Sequence, residues 1–280
     1  MKEVCAGIVT YNPNLQLFSN CFNALSSQVN EIFIFDNGSK NYENLEKYYK
    51  DRAVIIRSET NRGISFALNQ LCKIATARGY EWILTMDQDS ICEKTMVERL
   101  YKYTDNETIG LVAPKVEFKS NGELILTTKN RCEEVQRIRA CITSGSLTRL
   151  AAWKKVGGYD EWMFIDHVDN EFCTHICMEG YKIIRINSAV LYQRAGDMHY
   201  ITMPWGTKIL LPYYSGFRNY YICRNTIYYL RKYKHYINYK HELATFLYSQ
   251  MIKLIFENNR FSTIKTTFQG IHDGLKKSID

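Results

Sequence analysis

Short apolar runs closed by polar residues alternate with stretches of helical spacing through the first third of the chain, and this alternation limits the fold more than any other feature. Residues 4–11 read as a buried strand that Asn12-Pro13 breaks. Leu15, Phe18, Phe22 and Leu25 then recur at helical spacing. Residues 31–35 form a second apolar run, closed by Asp36-Asn37-Gly38-Ser39. A polar helix rich in Tyr, Glu and Lys leads to a third run, Val54–Arg57. Asn61-Arg62-Gly63 opens a helix in which Ile64, Leu68, Leu71 and Ile74 or Ala75 share a face, and a fourth strand covers 82–86. Strands and helices in this order predict βαβ units around a mostly parallel sheet, an α/β fold. Right-handed crossovers bring the strand ends to one edge, where open α/β sheets bind ligands. That edge collects Thr10-Tyr11-Asn12, Asp36 through Ser39, and Asp87-Gln88-Asp89.

The last of these clusters carries the sharpest chemical demand. Two carboxylates one residue apart, at the end of a buried strand, repel each other and lose hydration. A divalent cation relieves both costs, and oxygen ligands suit Mg2+ or Mn2+. The plain alternative is an exposed turn, which Asp and Ser also favour. Neither Gly-x-Gly-x-x-Gly nor Gly-Lys-Ser/Thr is present, so the chain lacks a dinucleotide fingerprint and a P-loop.

Beyond residue 109 the pattern is less regular. Residues 110–114 read as a fifth strand, and 115–141 as a hairpin or excursion turning at Ser120-Asn121-Gly122. Residues 142–147 read as a strand whose small polar members, Ser144, Gly145 and Ser146, suit close approach by a ligand. A helix near 150–156 stops at Gly157-Gly158. Asp166, Asp169 and Glu171 make a second acidic focus, alternatively a set of charges at a helix N-terminus. Residues 182–186 read as a strand. From residue 213 the chain turns helical and basic, with a further helix over about 242–257 whose apolar residues suit packing on the body or contact with a membrane.

Charge divides the chain. Residues 205–280 hold 12 Lys and Arg against 4 Asp and Glu, together with 10 of the 21 tyrosines, while the remainder holds 24 against 25. The expected organisation is a near-neutral body over 1–204 and a basic, Tyr-rich helical extension over 205–280. Such an extension suits an anionic partner, either a membrane surface or nucleic acid, although no recognised nucleic-acid module is present. Nine scattered cysteines without a paired framework or Cys-x-x-Cys, and no signal peptide, predict a reduced cytosolic protein. No apolar run approaches the roughly 18 to 20 residues of a membrane span.

The segments Thr10–Pro13, Asp36–Ser39, Asn61–Ile64 with Ala67 and Asn69, Asp87–Ser90, Ser144–Ser146, Gly157–Glu161, Phe164–Glu171 and Arg224-Asn225 occur in one order and spacing. Together they resemble the family 2 glycosyltransferases of the GT-A fold, most closely the rhamnosyltransferase-like branch, from Val4 to about Asn225. The resemblance implies an inverting transferase that uses a nucleotide-sugar donor, foremost dTDP-L-rhamnose. The implied acceptor is a saccharide or lipid-linked saccharide of bacterial surface polysaccharide synthesis. It places Thr10, Tyr11, Asn12, Asp36, Arg62, Gly63 and Asp87 at the nucleotide, with Asp36 reading the N3–H of uracil or thymine. Asp89 then binds an Mn2+ or Mg2+ ion that bridges the diphosphate, and Asp169 is the catalytic base. Ser144, Gly145, Asp166 and Glu171 line the acceptor or sugar. The implied location is cytoplasmic, peripheral on the inner face of the cell membrane.

Two positions depart from the family pattern. His175 stands where relatives often have Arg, and Gln193 where many have a His that reaches metal or diphosphate. Gln193 or His199 is the candidate substitute. Two rivals remain. A nucleotidyltransferase needs a Gly- and Lys-bearing activated-phosphate loop near the N-terminus, which the chain lacks, and the other is a non-catalytic nucleotide-sugar or saccharide-binding protein on the same fold.

Overall fold

The computed structural model describes residues 4–120, 123–127, 133–194, 198–202, 206, 208–212, 215–256 and 260–279. The expected turn at Asn121-Gly122 lies outside them, as do the side chains of 198–202 and 208–212. The described chain divides into two compact units, Met1–Trp162 with Val168–Ala195, and Met163–His167 with Gly196–Asp280.

The first unit opens with β1 (Val4–Thr10), α1 (Leu15–Ser26), β2 (Glu31–Asp36), α2 (Tyr42–Tyr49), β3 (Val54–Arg57), α3 (Ile64–Ala77) and β4 (Trp82–Asp87). It continues through β5 (Ile91–Cys92), α4 (Met96–Tyr101), β6 (Ile109–Ser120), β7 (Glu123–Thr127), β8 (Val135–Ile138), β9 (Ser146–Arg149), α5 (Leu150–Lys155), α6 (Val168–Met178) and β10 (Lys182–Arg194). The sheet runs β3-β2-β1-β4-β9-β6-β10-β5, with β7 beside β6 and β8 beside β10. Pairing is parallel from β3 to β4 and again between β6 and β10, and β9 is inserted antiparallel between β4 and β6.

The parallel half follows from its residues. β1 is buried along its whole length, as a strand covered on both faces must be. On one face Ala6, Ile8, Ile34, Leu84 and Met86 meet Phe18, Phe22 and Leu25 of α1 in a common core. On the other, Leu68, Leu71, Cys72 and Ala75 of α3 are buried. A Cβ on Gly7 would stand 3.0 Å from Leu71, so a glycine in mid-strand lets α3 lie close. Burying each such Leu or Phe contributes about 1.5–3 kcal/mol. Asn14 caps α1, its side chain accepting from the N–H groups of Gln16 and Leu17.

Two strand expectations shift. The strand read over 142–147 is instead β9, starting at Ser146, because Gly145 adopts φ +78° and turns the chain just before it. The strand read over 182–186 extends to Arg194 through a bulge between Ile186 and Val190; polar Asn187-Ser188 at the bulge concealed the continuation.

The second unit contains the ladder β11 (Met198–Thr202) and β12 (Lys208–Pro212), then α7 (Gly216–Lys232), α8 (Tyr239–Phe256) and α9 (Arg260–Lys276). Helix α9 packs on α7 through Gly270 and Gly274, where a Cβ would come within 2.5 Å of the carbonyl oxygens of Tyr220 and Arg224. A buried polar knot completes the packing: Lys253 Nζ donates to Asn219 Oδ1 at 3.1 Å, and Asn219 Nδ2 donates to Thr266 and Thr267 at 3.0 Å each.

Candidate active site

The carboxyl ends of β1, β2 and β4 meet as the alternation predicts. Thr10 lies opposite Asp36, and Val9 opposite Asp87, in the parallel register. Asp36 is fully buried, with Oδ1 accepting from the Thr10 hydroxyl at 3.2 Å and Oδ2 from the Ser39 N–H at 3.0 Å. Asn37 ties this loop to the start of α3. Its Oδ1 accepts from the Arg62 N–H at 2.9 Å and its Nδ2 donates to the Gly63 carbonyl at 3.1 Å. Glycine is required at 38, since with φ +82° a Cβ would stand 2.7 Å from the Thr60 carbonyl carbon. Asn12, at φ 46°, donates its N–H to Ser39 Oγ at 2.8 Å and accepts from the Lys40 N–H. Tyr11 and Arg62 are exposed on this edge, and the Arg62 guanidinium lies 3.6 Å from the centre of the Phe66 ring. Gln88 clasps Tyr11 by accepting from its N–H at 2.9 Å and donating to its carbonyl at 3.3 Å.

Asp87 belongs to a closed circuit of hydrogen bonds. Its N–H donates to Ser144 Oγ at 3.1 Å, Ser144 Oγ donates to Ser90 Oγ at 3.0 Å, and Ser90 Oγ donates to Gln193 Oε1 at 2.6 Å. Gln193 Nε2 closes the ring by donating to Asp87 Oδ2 at 2.9 Å. Every donor in the circuit points the same way round, an arrangement in which each bond polarises the next. Gln193 therefore presents its amide nitrogen to Asp87, while its oxygen is taken by Ser90. Burial raises the Asp89 carboxyl above its ordinary value, and the charge of Arg194 works in the opposite direction.

Asp87 and Asp89 carry carboxylate oxygens of the kind that Mg2+ or Mn2+ takes, and phosphate and water would have to supply the rest of such a shell. The residues fit a cation of that kind. Among the described residues no group of three or more His, Cys, Asp or Glu side chains is gathered to hold a metal without such help. His199 is in β11, and its side chain lies outside the described part of the structure.

The second acidic focus divides. Asp169, in the first turn of α6, accepts from the Thr143 N–H at 3.2 Å. Thr143 in turn accepts on its carbonyl from Thr85 of β4 at 2.6 Å. The segment 143–144 thus touches both Asp169 and the backbone of Asp87. A cavity of about 270 Å³ opens beside Asp169, with Pro114, Val116, Phe118 and Ile142 in its walls and Asn170 and Arg185 among its polar members. Ser144 and Glu171 are buried, and Gly145 donates its N–H to the Thr85 carbonyl.

Asp166 belongs to the second unit, where its carboxylate accepts hydrogen bonds from Nε and Nη2 of Arg218 at 3.1 and 2.9 Å. Asp166 and His167 both have φ near +60°, an uncommon conformation for residues with side chains. Asn225 holds the strained turn by donating Nδ2 to the carbonyls of Ile165 and Asp166 at 2.8 and 2.9 Å. The Arg224-Asn225 motif is explained by that contact, with Arg224 Nε donating to Asn225 Oδ1. Asn69 plays the same part in the first unit: its oxygen accepts from Trp153 and the Tyr159 N–H, and its nitrogen donates to Tyr159 and Glu161.

The family described as "Glycosyl transferase family 2" matches residues 5–151. Over 249 residues the chain is 28% identical to the dTDP-rhamnosyl transferase RfbF of Shigella flexneri, covering 82% of this chain and 81% of that protein. The S. aureus TarS 1-349 structure in complex with UDP-GlcNAc superimposes with a TM-score of 0.64 at 15% identity, over 96% of this chain and 82% of that one. A structure of GalNAc-T7 with UDP, GalNAc and Mn2+ gives 0.58 at 14% identity over 69% of this chain, which spans only 44% of that one. At these identities the solved structures speak for the fold, which is GT-A.

Proposed function

The chain belongs to glycosyl transferase family 2, and from that premise we propose an inverting, metal-dependent hexosyltransferase that moves L-rhamnose from dTDP-L-rhamnose to a saccharide or lipid-linked saccharide of the bacterial surface. The donor follows the relationship to a dTDP-rhamnosyl transferase over most of both chains. The observation that carries the mechanism is the anchoring of both acidic foci on residues 143–144, Asp87 through its backbone and Asp169 through its carboxylate.

In this reading Thr10, Tyr11, Asn12, Asp36, Arg62 and Gly63 receive the nucleoside diphosphate, with the Arg62 guanidinium suited to its phosphates. Asp89, with Asp87 beside it in sequence, would hold Mg2+ or Mn2+, and the cation would supply positive charge to offset that developing on the leaving diphosphate. Asp169 takes the proton of the acceptor hydroxyl as that oxygen attacks the anomeric carbon and the bond to the diphosphate breaks. The Thr143 N–H orients its carboxylate, and the neighbouring cavity of about 270 Å³ has room for one sugar ring of the acceptor. Ser144 and Gly145 shape the wall between donor and acceptor, and Glu171 stands on the acceptor side. The protein works in the cytoplasm, its basic extension drawing it to the anionic inner face of the cell membrane.

Calorimetry with dTDP, UDP and GDP, each with and without Mn2+, tests this reading. Metal-dependent binding of dTDP is expected, lost in Asp89→Asn. Asp169→Asn is expected to bind dTDP within about twofold of the original protein while turnover falls on the order of 10²–10⁴-fold. Absence of nucleotide binding overturns the donor site, and binding without turnover in the unaltered protein favours a carbohydrate- or nucleotide-sugar-binding role.

A further inference from the structure

On α9 the residues that pack inward and those that face outward separate cleanly. Thr263, Gly270 and Gly274 are buried, and at about 100° per residue they fall within about 40° of one another. Phe261, Ile264, Phe268 and Leu275 gather within about 60°, centred roughly 130° from that buried line. They are exposed, Phe261 to 90% and Phe268 to 71%. Exposed cations flank the stripe, Arg260 on one side and Lys265 and Lys276 on the other. Helix α8 repeats the theme with Leu247, Tyr248, Met251 and Ile255 exposed over about 100° of its circumference. The charged residue within that arc is Lys240, also exposed.

Apolar side chains of this size, ordered into stripes on adjacent helices, mark a contact surface and not scattered surface residues. Charge selects the partner. The acidic groups described near these helices point elsewhere: Asp273 accepts from the Tyr220 hydroxyl at 2.7 Å, and Glu242 lies in the first turn of α8, on another side. Lys and Arg outnumber Asp and Glu by 12 to 4 over 205–280. An apolar stripe bordered by cations matches the boundary between anionic headgroups and acyl chains, where amphipathic helices lie in the plane of the bilayer. No helix among the described residues is long and apolar enough to cross a membrane.

We propose that α9, assisted by α8, is an interfacial docking element that inserts Phe261, Phe268 and Leu275 into an anionic bilayer while Arg260, Lys265 and Lys276 engage lipid phosphates. The inference rests on the membrane location proposed above and adds to it insertion, beyond electrostatic adsorption.

The test is flotation with vesicles of phosphatidylcholine alone or mixed with phosphatidylglycerol, at low and high salt, alongside light scattering of the free protein. Binding to the mixed vesicles is expected to persist in part at high salt. Phe261→Ser with Phe268→Ser is expected to weaken it tenfold or more, and Lys265→Glu with Lys276→Glu to remove the preference for phosphatidylglycerol. Circular dichroism and dTDP affinity are expected to stay unchanged, since these side chains are exposed and outside the nucleotide edge. Unaltered binding by the double Phe variant would overturn insertion and leave adsorption standing. No binding by the original protein to any vesicle would overturn both. A dimer that the Phe variant dissociates, with no vesicle binding, would assign the face to a second copy of the chain and overturn the proposal.

Discussion

Gln193 shows how one side chain is defined by its neighbours. Its identity alone leaves open whether the amide oxygen faces a cation. In the structure that oxygen is taken by Ser90, and the nitrogen is donated to Asp87. Gln193 therefore orients a candidate ligand carboxylate and does not itself present an oxygen to the site. Gln193→Leu is expected to cost about 1–3 kcal/mol of stability by leaving the buried Ser90 hydroxyl without its acceptor. It should also weaken metal-dependent dTDP binding about tenfold, equivalent to about 1.4 kcal/mol. Denaturant melts and calorimetry check both figures, and affinity equal to that of the original protein would mean the circuit does not set the Asp87 carboxylate. The carboxylates of Asp36, Asp87 and Asp89 were legible in the sequence because each sits where an apolar strand breaks off. Thr85, Thr143 and the role of Gln193 were not, since a Thr within a strand and a lone Gln carry no pattern until distant segments meet.

At the level of elements, the turn preceding α6 and the helix α7 form one device. Two consecutive residues at positive φ, Asp166 and His167, persist there because Asn225 donates to the carbonyls of Ile165 and Asp166 and Arg218 donates to the Asp166 carboxylate. His167 joins the same device. Thr226 gives its hydroxyl proton to the Ile222 carbonyl, so His167 Nε2 donates to Thr226 Oγ1 at 2.7 Å, and the buried Nδ1 has no partner. Protonation would place a second, unsatisfied N–H in that enclosure. Burial accordingly depresses the imidazole from 6.5 to about 4, with Asp166 opposing the shift. Between those values the unfolded chain binds the proton and the folded one does not, so stability rises with pH through that window. At pH below about 4 the full loss is at most about 3 kcal/mol. In His167→Gln the slope between pH 4 and 6.5 is expected to flatten, as followed by denaturant melts; an unchanged slope would assign the dependence to other groups. The helix α9 was the element least legible in sequence. Its inward face is made of Thr and Gly, which carry no hydrophobic period, whereas its aromatic residues face outward.

For the whole molecule, the described cysteines are free thiols, most of them buried, and burial raises those of Cys5, Cys21, Cys72 and Cys92. They act as small apolar residues, so dithiothreitol is expected to leave the thermal midpoint unchanged. A fall of several degrees would reveal a structural disulfide. The sequence by itself determined the parallel half of the sheet and the polar edge that carries Asp36, Asp87 and Asp89. Those features depend on local period and on the handedness of βαβ units, both of which act over a few tens of residues. Tertiary structure alone decided the antiparallel insertion of β9, the long bulged β10, and the circuit joining Asp87, Ser90, Ser144 and Gln193. It also placed the apolar stripes of α8 and α9 on the surface and not in a core. The reason is physical: a hydrogen bond between residues 87 and 193, or the exposed side of a helix, depends on which distant backbones pack together, and no local propensity records that.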